Sequence, residues 1–343
     1  MKTKRKNIFF LTGIVVLFGL LYGAGAYFAE GPEGKNGLAR APALSSDGKQ
    51  LAFVHYNEGM SSLYTVEAAG GEAEKLIQAK EGKEVTDPVF SPDGSKIAYL
   101  KTWRREGIPY SQLMMYDLER EKNYPVQSSD AYISKAVFAP SGDTLYGTEG
   151  AEYDEQPQGD GFFAKNYDVY EIDLASDEKR KLTDMELTSL SSIEVFPEGE
   201  RLLLSYYEYG KGDRIQIYNR NTNERETITA EASYESVAME GPSYGAPAIS
   251  SEGNRFAFSD VTRTTDGTYE YEIFSMNIDG TDVRQVTEFY EMTTEPVYFP
   301  DGERMLVTVD QNFAGKTEEY EYWTVDLEGN GRDKIEIDIT EEG

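Results

Sequence analysis

A short phrase recurs six times along this chain: an apolar run, a Pro- or Ser-bearing turn that ends in Gly, and a second apolar run. The second copy is the plainest, Asp87-Pro88-Val89-Phe90-Ser91-Pro92-Asp93-Gly94-Ser95-Lys96-Ile97-Ala98-Tyr99-Leu100. Turn chemistry accounts for its order. Pro92 presets φ at the first corner, Asp93 can bond the local backbone, and Gly94 accepts a positive φ without a Cβ clash. The phrase therefore predicts a hairpin between two buried strands. The other copies turn at Ser46-Asp47-Gly48, Pro140-Ser141-Gly142, Pro197-Glu198-Gly199, Ser251-Glu252-Gly253 and Pro300-Asp301-Gly302. Spacings of 46, 48, 57, 54 and 49 residues between the six glycines mark stacked supersecondary units.

Each hairpin is followed by a third strand-like run, at 62–66, 113–118, 168–174, 214–218, 271–278 and 321–327. A polar turn then leads to a short charged run such as 74–77, 180–183, 225–228 or 284–287, the composition of a solvated outer edge strand. Runs such as Ile97 to Leu100 and Leu202-Leu203-Leu204 are almost continuously apolar, as strands covered on both faces are. Four strands per unit, buried inside and solvated outside, predict an all-β fold: a six-bladed β-propeller of four-stranded antiparallel blades. The expected blades are about 38–80, 81–128, 129–185, 186–230, 231–289 and 290–340, with 30–37 as a short linker and the propeller running to 343.

The stretch Phe90-Ser91-Pro92-Asp93-Gly94-Ser95-Lys96-Ile97-Ala98-Tyr99 resembles the repeat of TolB-like propellers, also found in the propeller domains of prolyl oligopeptidase and dipeptidyl peptidase relatives. The likeness covers about residues 38 to 340, with looser copies such as Ala139-Pro140-Ser141-Gly142 and a Glu at 198 in place of Asp. It implies the propeller without the α/β domain that precedes it in TolB. A hydrolase domain like that of the oligopeptidase relatives is not expected.

Lys2, Lys4, Arg5 and Lys6 precede an apolar run from Ile8 to Ala29. A basic segment followed by an apolar one is an export signal, here also long enough to span a bilayer. Residues 1–29 are thus expected to be a signal peptide or a signal-anchor helix, with the remainder facing outward in either case. A formal charge of −29 excludes binding to nucleic acid through counterion release and favours basic or neutral partners. With no Cys there is no disulfide and no thiolate site, and the single His55 falls within a second strand.

In a four-stranded blade, the connections between second and third strands share one end of the ring with those between blades. Here those connections are the long ones, 101–112, 147–166, 206–213, 229–245, 259–268 and 309–319, whereas the Gly-turn end is tight. Long connections on a rigid scaffold are where binding resides. The candidate binding residues are therefore Trp103, Arg104, Arg105, Tyr110, Tyr153, Phe162, Phe163, Tyr207, Tyr209, Tyr244 and Tyr290, of the aromatic and Arg types enriched at interaction hot spots. Arg104 and Arg105 are expected at its rim.

No catalytic residue and no cofactor are indicated. Ca2+ is the one cation the acidic connection could order around, with Glu149, Glu152, Asp154, Glu155 and Asp160 close together, although the EF-hand ligand order is missing there. It fails too at Asp326-Leu327-Glu328-Gly329-Asn330-Gly331, where the bidentate Glu position falls on Ile337. The expectation is an exported, non-catalytic scaffold that binds an envelope or extracellular protein or peptide through the long-connection face. Alternatives are a carbohydrate-active or hydrolytic enzyme using face carboxylates with a divalent cation, and a passive structural domain. Ring closure is expected from face packing alone, with no strand from residues after Asp333 joining the first repeat.

Overall fold

The computed structural model describes residues 35–126, 132–156, 161–238, 240–263, 269–313, 315, 317–329 and 331–340. The expected N-terminal signal or anchor, 1–29, lies outside the described residues. Among the described residues every regular element is a strand. Three repeats form separate four-stranded antiparallel sheets. The second uses Lys83–Phe90, Lys96–Arg105, Ile108–Asp117 and Lys122–Pro125. The third uses Tyr132–Phe138, Thr144–Glu155, Phe162–Asp173 and Lys179–Lys181, and the fourth Ser192–Val195, Arg201–Glu208, Gly212–Asn219 and Arg225–Ile228. The fifth, sixth and first repeats have the same antiparallel order and are joined into one continuous sheet by single-residue bridges, Tyr271 to Met292 and Leu38 to Tyr320.

All six phrase glycines have φ between 70 and 78°. Each donates its amide to the carbonyl three residues back, at 2.8 to 3.0 Å, so the hairpin turns are of one kind. Within the second, Ser91 Oγ donates to Asp93 Oδ1 at 2.6 Å and the Ser95 amide to the same oxygen at 3.0 Å. Those bonds hold the Asp93 carboxyl down at about 2.

The glycines also serve an inter-repeat contact. A Cβ on Gly142, Gly199 or Gly253 would come within 3.1 to 3.5 Å of Pro92, Pro140 or Pro197 in the preceding repeat, and one on Gly48 would lie 2.9 Å from Pro300 Cδ. Four of the six turns therefore lean on a proline of the preceding repeat, the first on the last among them.

Six apolar clusters sit between consecutive repeats. Ala52, Val54 and Leu63 of the first repeat, for instance, pack on Val85, Ile97 and Tyr99 of the second. The cluster between the last and first repeats holds Leu51, Phe53 and Tyr64 against Phe299, Leu306 and Tyr322. It also contains Ile335, with Ile337 and Ile339 beside it. Closure is therefore not by face packing alone. Ile337–Asp338 pairs in parallel with Gly71–Glu72 of the first repeat. Only a glycine fits at position 70, because the Glu336 carbonyl occupies the space of a Cβ there. The alternation Ile335, Ile337, Ile339 explains the correction: a period-two apolar tail with a free partner edge nearby continues as a strand.

Candidate functional site

Of the connections expected to be long loops, 101–112, 147–166 and 206–213 are largely strand, whereas 229–245 and 309–319 are strand only at their ends. The second repeat's hairpin continues to Arg105 and resumes at Ile108 across Glu106 and Gly107, both at positive φ. In the third repeat, strands of 12 residues reach Glu155 and restart at Phe162. These are rigid β extensions. Cross-strand pairing hides them from a search for turn residues, because alternating aromatic and polar residues stabilise the ladder as well as any contact face.

Trp103 and Tyr110 are cross-strand partners whose rings stack at 5.8 Å and 11°. Lys83 Nζ lies 4.8 Å from the Trp103 ring centre and the Arg105 guanidinium 5.9 Å from that of Tyr110. A half-buried ladder of two cations and two rings thus crosses the hairpin. Arg104 donates from Nη1 to the Gly107 carbonyl at 2.9 Å and to the Phe162 carbonyl at 3.2 Å. It stitches the second hairpin to the third, where Phe162 in turn donates its amide to Gly107 at 3.0 Å. Phe163 is half-buried beside Phe162.

Tyr153 is half-buried with its hydroxyl sealed in and no partner for it, and burial pushes that phenol up. Tyr207, 40% exposed, donates its hydroxyl to Glu240 Oε2 at 2.9 Å. Tyr209 and Tyr290 are exposed at 94% and 62%. Tyr244 is a correction. It is 2% exposed, packed 5.2 Å from the Phe258 ring, and its hydroxyl accepts the Ala230 amide at 2.9 Å. An aromatic beside a glycine in a connection is ambiguous in sequence, and this one fills the seam between the fourth and fifth repeats.

Apart from the buried Tyr244, the sequence-predicted residues lie along the hairpins and connections of one end of the ring and do not converge on one pocket. Among the described residues, the exposed large apolar side chains other than Tyr124 are Met60, Tyr207, Tyr209, Val237, Tyr269, Tyr290 and Phe313, and all of them fall on that end.

A second group was missed. Arg40, Asp87, Lys135, Glu194 and Glu295 come from the first-strand regions of five repeats and meet where those strands meet, at the ring axis. Lys135 Nζ pairs with Asp87 Oδ1 at 2.5 Å, and Arg40 with Glu295 Oε1 at 3.1 Å and with Thr294 Oγ1 at 2.9 Å. Burial alone would lower the Lys135 pKa, but Asp87 and Glu295 reverse the effect and raise it. Glu194 takes up the imbalance, pushed up to about 7 by burial and by Glu295, with Lys135 pulling it back. Strand bulges turn the other acids inward: Asp87 and Glu295 sit at register shifts with φ of 50 and 48°. Asp87, Lys135 and Glu295 each stand seven residues before a turn glycine, and that phase was the available signal.

The calcium-like run is a hairpin turn, in which Asp326 accepts the Glu328 amide at 3.0 Å and the Gly331 amide at 2.6 Å. In the acidic connection Lys165 pairs with Asp154 at 2.8 Å and Lys179 with Glu149. Asp160 lies outside the described residues.

Comparison with known proteins bears on the fold. Residues 21–105 match the family model of the lipoprotein LpqB β-propeller domain. The uncharacterized peptidase YuxL of Bacillus subtilis (strain 168) is 24% identical over 228 residues, which is 66% of this chain and 29% of YuxL. TolB from Acinetobacter baumannii superposes with a TM-score of 0.62 at 16% identity, over 84% of this chain and 63% of that one. The fold is a TolB-like β-propeller.

The propeller is similar as well to the propeller domain of the Trilobed protease from Pyrococcus furiosus, with a TM-score of 0.51 at 16% identity over 87% of this chain and 83% of that one. That domain is described as having an open velcro topology. Here the seam carries the parallel pairing of Ile337–Asp338 with Gly71–Glu72. The chain spans under a third of YuxL and under two thirds of the TolB chain.

Proposed function

We propose that the chain is an exported, non-catalytic propeller of six blades, with the boundaries given above, that captures a protein or peptide of the cell envelope. Its capturing face is the end formed by the second-to-third-strand hairpins and the connections between blades. One observation carries this reading: the exposed apolar side chains among the described residues gather on that end, and patches of this kind mark interaction sites. Paired strands hold the hairpins, so contact residues are positioned before binding and little ordering entropy is lost. The lipoprotein propeller match and the basic-then-apolar N-terminus support an envelope location.

The test is capture from envelope extracts, read by mass spectrometry, with the chain immobilised. Trp103→Ala combined with Tyr207→Ala should lose the captured protein, while Tyr124→Ala on an outer strand should keep it. Equal capture by all three proteins would overturn the proposal.

A further inference from the structure

On the flank of the same end, a cavity of about 340 Å³ opens between the connection that follows the third repeat and the hairpin of the fourth. Its size is at the lower end of the range for small-molecule sites. Met185 and Leu187 line one side, and Tyr206, Tyr207 and Tyr209 the other, with Gln216 among its walls.

Gln216 is 7% exposed, and its Nε2 donates to the Tyr206 hydroxyl at 3.2 Å while Oε1 has no partner. Turning the amide over would satisfy the oxygen and strand the nitrogen instead. Either way, one buried polar atom is left without a partner beside a cavity, which is unfavourable unless something fills it.

Charge in the surroundings is nearly balanced. Asp184 pairs with Lys181 at 2.8 Å and Glu208 with Lys211 at 2.7 Å, and Arg225 and Glu186 both belong to the lining. A strongly anionic or cationic ligand gains little there. A ligand whose groups both donate and accept, and whose ring presents flat C–H faces to tyrosine, gains most.

We propose that this cavity is a binding site for a neutral saccharide, with Gln216 reading a hydroxyl and Tyr207 or Tyr209 stacking on the ring. The polar groups offered are side chains, which suits hydroxyl recognition better than the main-chain pairing that peptides require. The site shares Tyr207 with the capturing face, so Gln216→Leu, which leaves that face intact, separates the two proposals.

Saturation-transfer NMR on the full chain would test it, using glucose, N-acetylglucosamine, maltose, cellobiose and diacetylchitobiose at millimolar concentration, with trialanine as the peptide probe. At least one saccharide should show transfer, and Gln216→Leu should weaken it by about tenfold or more while leaving the melting temperature close to the parent's, since removing the unpaired atom offsets the loss of the bond to Tyr206. Tyr209→Ala, at an exposed tip that folding does not need, should weaken it too. The proposal is overturned if no saccharide shows transfer, if Gln216→Leu and Tyr209→Ala bind as well as the parent, or if trialanine alone binds in a Gln216-dependent way.

Discussion

Glu194 is a residue whose chemistry departs from what its place in the sequence suggests. Its carboxyl is raised to about 7, so the folded chain holds a proton that the unfolded chain releases in the ordinary carboxylate range. The stability this proton represents is fully present at low pH and is lost as pH rises through about 7. Glu194→Gln should therefore flatten the profile, leaving the variant more stable than the parent by about 1–3 kcal/mol at about pH 8 and closer to it at about pH 5, in urea titrations. The turn glycines offer a second contrast at this scale. Gly48 and Gly94 share a φ of 71°, but a Cβ meets Pro300 at the first and open space at the second. Gly94→Ala should cost about 1–2 kcal/mol from the left-handed backbone alone. Gly48→Ala should cost about 1–3 kcal/mol more from overpacking, read as a larger drop in denaturation midpoint.

At the scale of elements, the clearest difference between sequence and structure is that connections 101–112, 147–166 and 206–213, expected as loops, are largely strand. Turn residues announce themselves locally, and so the six Gly turns, third strands and charged outer strands were legible. Strand Arg225–Ile228 was expected at 225–228 and lies there. Residues such as Trp103 and Tyr110 belong equally to a ladder or to a loop until their pairing is known, and the axis charges are scattered over five repeats with nothing local to join them. Arg104 shows the consequence, its exposed guanidinium tying two hairpins together as well as standing at their tips. Arg104→Ala should leave global stability within about 1 kcal/mol, as its guanidinium is exposed, yet speed hydrogen exchange at the Phe162 amide. The C-terminal tail is a stronger contributor. Ile335→Ala removes a buried side chain from the cluster joining last repeat to first and should cost about 2–5 kcal/mol, measured by chemical denaturation.

For the whole molecule, charge and closure act together. A net charge of −29 repels itself more strongly in the compact state than in the unfolded one. Raising salt from about 10 to about 200 mM should therefore raise the melting temperature, as the screening length falls toward about 10 Å and below. The seam determines what happens when this compact state is strained mechanically. Both ends of the described chain rest on the first repeat. Leu38 bridges to Tyr320, and Ile337–Asp338 runs alongside Gly71–Glu72. Tension that draws residue 340 away from residue 35 falls first on these few pairings, whereas the second, third and fourth repeats are each complete sheets. Under load the ring should open at its seam into an arc, with the middle repeats still folded and able to close again when the force is released.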